Sequence, residues 1–319
     1  MEWTLRELRC FVTVADAGSF TEGAARLFVS QAAVSRTIAG LERGLGAQLL
    51  RRLPSGCTPT PAGWELLPAA RRVLAEADRF TEFAGSRREV LRVGYAWAAL
   101  GVHTARLLRD WPVEELGAEL EFERVEIADR SLIEGRCDIA IMRRRPADPG
   151  LESAEIGRER RMVAFAEDDA EWGRRRQLTL DEISRRTVIV DVRSGTTDAG
   201  LWAGGAVPAF LESSSVDQWL DLIAAGRGVG ITAEATSHHH RRDGVRYRGI
   251  SDVETVPVLL VWRRGERDPA VDALVGRARA LYASGSEAAT PGRGTRPAEA
   301  AARPDASPRW SASPGHRRR

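Results

Sequence analysis

The sequence predicts two architectures in one chain: a small helical domain with a two-stranded wing and a long trailing helix, then a mixed α/β region. Three observations predict this. Apolar residues recur at helical spacing through the first ninety residues, with breaks at Gly18, Ser19 and Ser30. Strand-like apolar runs then alternate with helical stretches from residue 90 to 283. From Ser284 onward there is no Val, Ile, Leu or Phe, so those residues cannot bury enough apolar area to offset their ordering entropy.

Composition sets the frame. The chain has 319 residues, 43% hydrophobic and 29% charged, which suits two or three compact units. It has no apolar run long enough for a transmembrane helix and no secretory hydrophobic segment near Met1. Cys10, Cys57 and Cys137 are far apart and odd in number, so reduced thiols in a cytoplasmic protein are expected. All 47 basic residues are arginine. The net charge of +2 divides into +2 for residues 1–90, −4 for 91–283 and +4 for 284–319. A net of +2 over ninety residues does not identify a nucleic-acid surface, so the residue pattern must carry that argument.

Leu5, Leu8, Phe11, Val12 and Ala15 form the apolar stripe of a first helix that stops at Gly18. Ser19 then offers an N-cap hydroxyl, with Glu22 at capping-box spacing. A short second helix places Phe20, Ala24, Ala25 and Leu27 on its apolar side. Ser30 is the next cap, and a third helix starts at Gln31 with Val34, Ile38, Leu41 and Leu45 buried. Gln31, Ala32, Ser35 and Arg36 fall off that stripe near the helix start. Two short helices with a tight turn fit a helix-turn-helix, whose second helix enters a major groove and reads base edges. An ordinary three-helix bundle fits the periodicity as well. Gln48 to Leu53, the turn Pro54-Ser55-Gly56 and the return Cys57 to Pro61 read as a two-stranded wing, with Arg51 and Arg52 placed for phosphates. A long helix from Gly63 to Phe83 carries Leu66, Leu67, Ala70, Val73, Leu74, Ala77 and Phe80 as a dimer seam.

The run Leu8-Arg9-Cys10-Phe11, Gly18-Ser19-Phe20-Thr21, Ala24-Ala25-Arg26-Leu27, Ser30 to Arg36, Ile38, Leu41-Glu42 and Leu45-Gly46 resembles the LysR-type transcriptional regulators. Leu49-Leu50, Arg52 and Thr60-Pro61-Ala62-Gly63 continue the likeness through wing and linker. Leu50 stands where Phe is usual, and Ser55 where the wing often carries a second Arg. The resemblance implies that Gln31, Ala32, Ser35 and Arg36 face bases. It implies that Ser19, Thr21, Arg52 and Thr60 position the phosphate backbone. The residues themselves add Ser30, whose helix-start amides favour phosphate, and Arg51 at the base of the wing. The expected partner is double-stranded DNA carrying an inverted repeat.

Strands are expected at Val90–Tyr95, Leu120–Val125, Cys137–Met142, Met162–Phe165, Thr187–Asp191 and Val256–Trp262. Helices are expected at Ala98–Trp111, Ser215–Gly226 and Pro269–Ala283, and a helical turn at Ser131–Glu134. The alternation points to a mainly parallel sheet. The resemblance implies an effector domain like a periplasmic binding protein, with two lobes and a crevice. The expected division is a winged helix-turn-helix over 1–62, a linker helix over 63–88, an effector domain over 89–284 and a disordered tail over 285–319. Within the effector domain, one lobe spans 90–158 and 266–284 and the other 159–265.

Ligands in such folds bind at the carboxyl ends of strands. Tyr95, Trp97 and Ala98 follow the first strand and open the expected helix, whose start favours an anion. The family often has Ser or Thr there; Ala98 and Ala99 argue against a carboxylate effector. Thr196 and Thr197 offer hydroxyls from the facing loop, unless they serve only the turn, and Trp97 equally suits packing between lobes. Gly230 lies in a helix–turn–strand of the family type, with Glu234 just beyond. His238, His239 and His240 lack a completing ligand and are expected in a solvated loop; Arg143, Arg144 and Arg145 are expected on a solvated surface. Cys137 is expected in the core, and Cys57 in the wing has no neighbour that would lower its pKa. No cofactor, metal site or activated nucleophile is expected. The leading reading is a cytoplasmic, non-enzymatic, ligand-responsive regulator acting as a dimer or tetramer. An enzyme with an appended DNA-binding domain, or a constitutive architectural protein, are the other readings.

Overall fold

The computed structural model describes residues 3–85, 89–191, 195–267 and 269–287. Residues 288–319 of the expected tail, 86–88 of the expected linker, and Ser194 lie outside these. Helix α1 (Leu5–Ala17) opens with a capping box between Thr4 and Glu7 that the sequence reading missed. Helix α2 (Phe20–Arg26) is capped by the Ser19 hydroxyl, which accepts from the Glu22 N–H at 3.4 Å. The Glu22 carboxylate does not close the expected box; it accepts from Arg26 at 3.1 Å instead. Helix α3 (Gln31–Leu45) starts at Ser30 as expected. Leu8, Phe11, Val14, Phe20, Val34, Ile38 and Leu41 share one core with Leu49 and Leu67. Helix α2 buries Phe20, Gly23 and Ala24 but leaves Ala25 exposed, because it points about 100° around the helix from Ala24, off the face those three share.

Strands β1 (Leu50–Leu53) and β2 (Gly56–Pro59) form the antiparallel wing. Helix α4 (Pro61–Gly85) follows. Its apolar positions divide between buried and exposed. Leu67, Ala70 and Leu74 pack into the N-terminal core, whereas Trp64, Val73 and Phe80 are exposed, Phe80 at 77%.

The α/β region begins with β3 (Glu89–Tyr95), α5 (His103–Arg109), α6 (Val113–Leu116), β4 (Ala118–Arg124), α7 (Ala128–Ile133), β5 (Ile139–Met142) and β6 (Leu151–Glu159). It continues with β7 (Arg161–Ala166), β8 (Gln177–Leu178), α8 (Leu180–Ser184), β9 (Val188–Val190), β10 (Phe210–Glu212), α9 (Val216–Ala224), β11 (Gly230–Ala233), α10 (Glu234–His239) and β12 (Val245–Ile250). Strand β13 (Val256–Arg263) and helix α11 (Pro269–Glu287) complete it. Helix α11 runs on to Glu287, past the expected start of the tail at 285.

Two main sheets form, in the orders β4-β3-β5-β13-β6 and β11-β7-β12-β8, with β9 and β10 as a separate parallel pair. Strand β3 runs parallel to β4 and β5, but β13 is antiparallel to β5 and β6. The sheets are therefore mixed, not mainly parallel. The physical reason is that β13 returns from the second lobe at the crevice end and must run away from it. That return also corrects the expected second lobe of 159–265: β13 sits inside the first sheet, so the chain crosses back between Ile250 and Val256. Ala98 to Leu100 are buried and non-helical, and α5 starts only at His103.

The N-terminal domain meets the first lobe through α4. Arg71 of α4 pairs with Glu134, the C-cap of α7, and with Asp16 of α1. Arg130 and Arg136 also reach Glu134, at 2.7 and 3.0 Å, and Arg79 reaches Asp138 at 2.6 Å. Arg71 and Glu134 are both buried. Glu134→Gln keeps the shape but takes from the buried Arg71 guanidinium its buried anion, leaving only the part-exposed Asp16, so it should destabilise the chain by about 3 kcal/mol. Urea unfolding of the full chain measures this; a loss under about 1 kcal/mol, the range of exposed pairs, would refute the role given to the pair.

Candidate nucleic-acid interface and ligand crevice

The first two turns of α3 carry Gln31, Ala32 and Arg36 exposed and Ser35 half-buried, off the stripe of the buried Val34, Ile38 and Leu41. Ser30 caps it by accepting from the Ala33 N–H at 3.2 Å. Ser19 caps α2, and Thr21 is exposed on its first turn. Arg51 and Arg52 are exposed on β1. The Arg52 guanidinium lies 4.0 Å over the Phe20 ring and donates to the Ser35 hydroxyl at 2.7 Å. The structure thus joins two expected contact residues, one from the wing and one from α3, in a single fixed unit. Thr60 is committed elsewhere: its hydroxyl donates to the Gln48 carbonyl at 2.6 Å and accepts from the Gly63 N–H at 3.0 Å. It opens α4 and is not a free phosphate ligand. Cys57 is buried against the Val14 carbonyl, and burial raises its thiol pKa. Cys137 lies in the core, where burial pushes its pKa up to about 12.

Between the lobes lies a crevice of about 770 Å³, open mouth included. Ala96 to Ala98 after β3, Ile127 to Asp129 after β4 and Met142 to Arg144 after β5 line one wall. Val190 and Asp191, Gly195 to Thr197, Trp219 and Ile231 to Ala233 of β11 line the other. Of the expected ligand residues, Trp97, Ala98, Thr196 and Thr197 meet here. The Trp97 ring packs edge-to-face on Trp219, with centroids 5.5 Å apart. Thr197 donates its hydroxyl to the Ile231 carbonyl at 3.2 Å, and the Thr196 carbonyl accepts from Arg161 at 2.9 Å.

Tyr95, Gly230 and Glu234 do not line it. Tyr95 packs edge-on against His239. Gly230 is buried beneath Trp219, where a β-carbon would come within 2.1 Å of the indole, so its task is close packing. Glu234 pairs with Arg160 at 2.5 Å.

Arg143, expected on a solvated surface, is buried. Its guanidinium donates to both oxygens of Glu159 at 3.0 Å and to the carbonyls of Ala98 and Ala99 at 2.8 and 2.7 Å. The Tyr282 hydroxyl donates to Glu159 at 2.7 Å. Burial pushes the Glu159 carboxyl up, but Arg143, Tyr282 and the Ala235 N–H together hold it below the ordinary carboxylate value. The expected anion site at a helix start is therefore absent at Ala98: the helix begins later, and the main-chain groups presented there are carbonyls already bound by a cation. Sequence reading missed Arg143, Asp129, Asp191 and Trp219. The first three directly follow strand ends or start the helix after one, so the carboxyl-end rule, applied to every strand, finds them.

The histidines correct another expectation. His238 and His239 close α10, and His239 and His240 are half-buried between the lobes. His240 Nε2 lies 2.8 Å from the Trp97 carbonyl, and His239 Nε2 3.4 Å from the Thr104 hydroxyl. Among the described residues no group of three or more His, Cys, Asp or Glu is arranged to hold a metal ion, and no helix is long and apolar enough to cross a membrane.

Residues 5–64 match the bacterial regulatory helix-turn-helix proteins of the lysR family, and residues 84–283 match the LysR substrate binding domain. The HTH-type transcriptional regulator TdfR of Cupriavidus pinatubonensis is 30% identical over 292 residues, 86% of this chain and 97% of its own length. BenM of Acinetobacter baylyi, another HTH-type transcriptional regulator, is 26% identical over 88% of this chain and 96% of its own. Among solved structures, CbnR, a LysR family transcriptional regulator, shares the fold with a TM-score of 0.66 at 24% identity, covering 87% of this chain and 99% of its own.

The half-buried interlobe histidines link stability to pH. Burial, then the charges of His240 and Arg143, hold His239 below the ordinary 6.5, although Glu159 opposes them; burial also lowers His103. The unfolded chain therefore binds more protons just below that value. Stability is full above about pH 6.5 and falls as pH drops through the folded-state value. Glu159 acts in a separate window, below its ordinary 4.5. The melting temperature should fall from about pH 7 to about pH 5, and His239→Gln should flatten that slope. Parallel slopes for the two proteins would contradict the interlobe role.

Proposed function

This chain belongs to the LysR family of bacterial transcriptional regulators, and we propose that it reads an inverted-repeat operator with the first turn of α3 and reports on a small molecule held in its crevice. One observation carries the link between the two sites. Helix α7 and the residue before it line the crevice with Ile127, Ala128 and Asp129, while Glu134 at its other end grips Arg71 of the linker helix. A ligand that shifts the start of α7 shifts α4 with it, because six residues of helix move as a rigid rod. The exposed Leu66, Val73 and Phe80 of α4, spaced by seven residues on one face, fit pairing with a second copy, so tilting α4 changes the spacing of two α3 helices on DNA. A fold relative, CbnR, has been solved in complex with its target DNA.

Gln31 and Arg36 suit bidentate base contacts; the Ser19 and Ser30 caps leave helix-start N–H groups for phosphates. Arg52 braces the reading helix through Ser35 while keeping its charge exposed. The sensor reading is supported by Arg143, Glu159 and Thr197, each already committed to protein partners.

Gln31→Ala and Arg36→Ala should each cost about 1–3 kcal/mol at the cognate site, with relaxed sequence preference, while Arg52→Ala weakens all sequences alike. Footprinting on the DNA upstream of the gene measures this; a footprint unchanged in both α3 variants would refute the assignment. Thr196→Val with Thr197→Val should abolish the response to whichever metabolite a thermal-shift screen identifies, with operator affinity unchanged. A normal response would remove these residues from the ligand site.

A further inference from the structure

Helices α1 and α3 each end on a glycine in the left-handed region, Gly18 at φ 62° and Gly46 at φ 68°. Glycine is the ordinary choice there because it has no β-carbon to crowd the carbonyl. Helix α2 ends in the same way, with the Phe28 N–H donating to the Ala25 carbonyl and the Val29 N–H to the Ala24 carbonyl, both at 3.1 Å. Its left-handed residue, however, is Phe28, at φ 54°, the single positive-φ residue other than glycine among those described. The Phe28 side chain is also 95% exposed. A β-carbon in this region is strained, and an exposed phenyl ring recovers no burial, so nothing within the chain offsets either cost. Strain of this kind collects where function needs a side chain.

The position indicates the partner. Phe28 stands two residues before the Ser30 cap and three before Gln31, so it is continuous with the polar, exposed start of α3. The apolar surface suited to a second copy lies instead on α4, at Leu66, Val73 and Phe80. We propose that Phe28 is a DNA-contacting residue whose ring lies against the hydrocarbon surface of the duplex beside the groove that α3 enters. That surface is the 5-methyl group of thymine or the face of a deoxyribose. The inference rests on the groove-facing reading of α3.

The test uses the full chain and the duplex that the wild-type protein selects from a random-sequence library. Phe28→Gly should raise the melting temperature in the absence of DNA yet weaken binding to that duplex about tenfold. Phe28→Leu, equally strained but still apolar, should retain most of the affinity. Deoxyuridine in place of single thymines should reproduce the loss at one position if the contact is a methyl group, and at none if it is a deoxyribose. Unchanged affinity in Phe28→Gly, with loss in Gln31→Ala, would overturn the Phe28 contact alone. Unchanged affinity in both would overturn the reading of α3 as well. A Phe28→Gly protein that melts lower as it binds more weakly would assign Phe28 a structural role and overturn the proposal.

Discussion

The guanidinium of Arg71 sits where three parts of the chain meet. It is carried on the linker helix, and its two ends bind an acid from the first helix and an acid from the first lobe. Removing a charge from water is costly, so a buried cation stays only where its anions are held in place. The converse follows: the anions dictate where α4 lies. The orientation of the N-terminal domain relative to the first lobe depends on this junction, supported by Arg79 on Asp138 and on the Gly135 carbonyl. A junction made of directional, charge-assisted bonds accepts few geometries, unlike an apolar contact that can slide. That property suits a part that must transmit a displacement.

A second buried guanidinium organises the crevice in the same manner. Glu159 ends β6, at the crossing into the second lobe, and gathers Arg143 from β5's end, Tyr282 from α11 and the Ala235 N–H from α10. Both lobes therefore close on one carboxylate. Because Arg143 is neutralised there, it presents little net attraction for an anionic ligand. The remaining walls bring Trp97 and Trp219 together with Ile127, Ile141, Met142 and Ile189. Asp129, Asp191 and the two threonines are the polar groups set among these apolar walls.

The exposed apolar residues are not evenly spread. Trp64, Val73 and Phe80 share α4, and Phe28 stands beside the DNA-reading helix. Exposed apolar groups contribute nothing to the stability of the free monomer, and at Phe28 the backbone is strained as well. Both sets make sense in an assembly: α4 against a second α4, and Phe28 against a duplex. The stability of the isolated chain and its fitness for binding are thus set against each other at these positions.

Local physics determined much of this protein. The spacing of Leu8, Phe11, Val34, Ile38 and Leu41, with Ser19 and Ser30 as caps, is enough to write the N-terminal helices and to name the exposed face of α3, because each depends on residues within a turn or two. The motif from Leu8 to Gly63 identified the family for the same reason. Non-local pairing lay beyond such reasoning. Whether β13 joins the first or the second sheet is decided by partners about 100 residues away, and its direction by the side from which the chain returns. Arg143 and His239 read as surface residues because their sequence neighbours are polar; only the fold brings Glu159 and Tyr95 to them. Gly230 and Thr60 look like ligand residues until the indole above one and the helix start bound to the other are seen. The sequence by itself settled where α2 and α3 begin, which serines cap them and which face of α3 points outward. Tertiary structure alone decided which charges are buried, since burial and pairing are properties of what comes to lie opposite, and that is set only when distant segments meet.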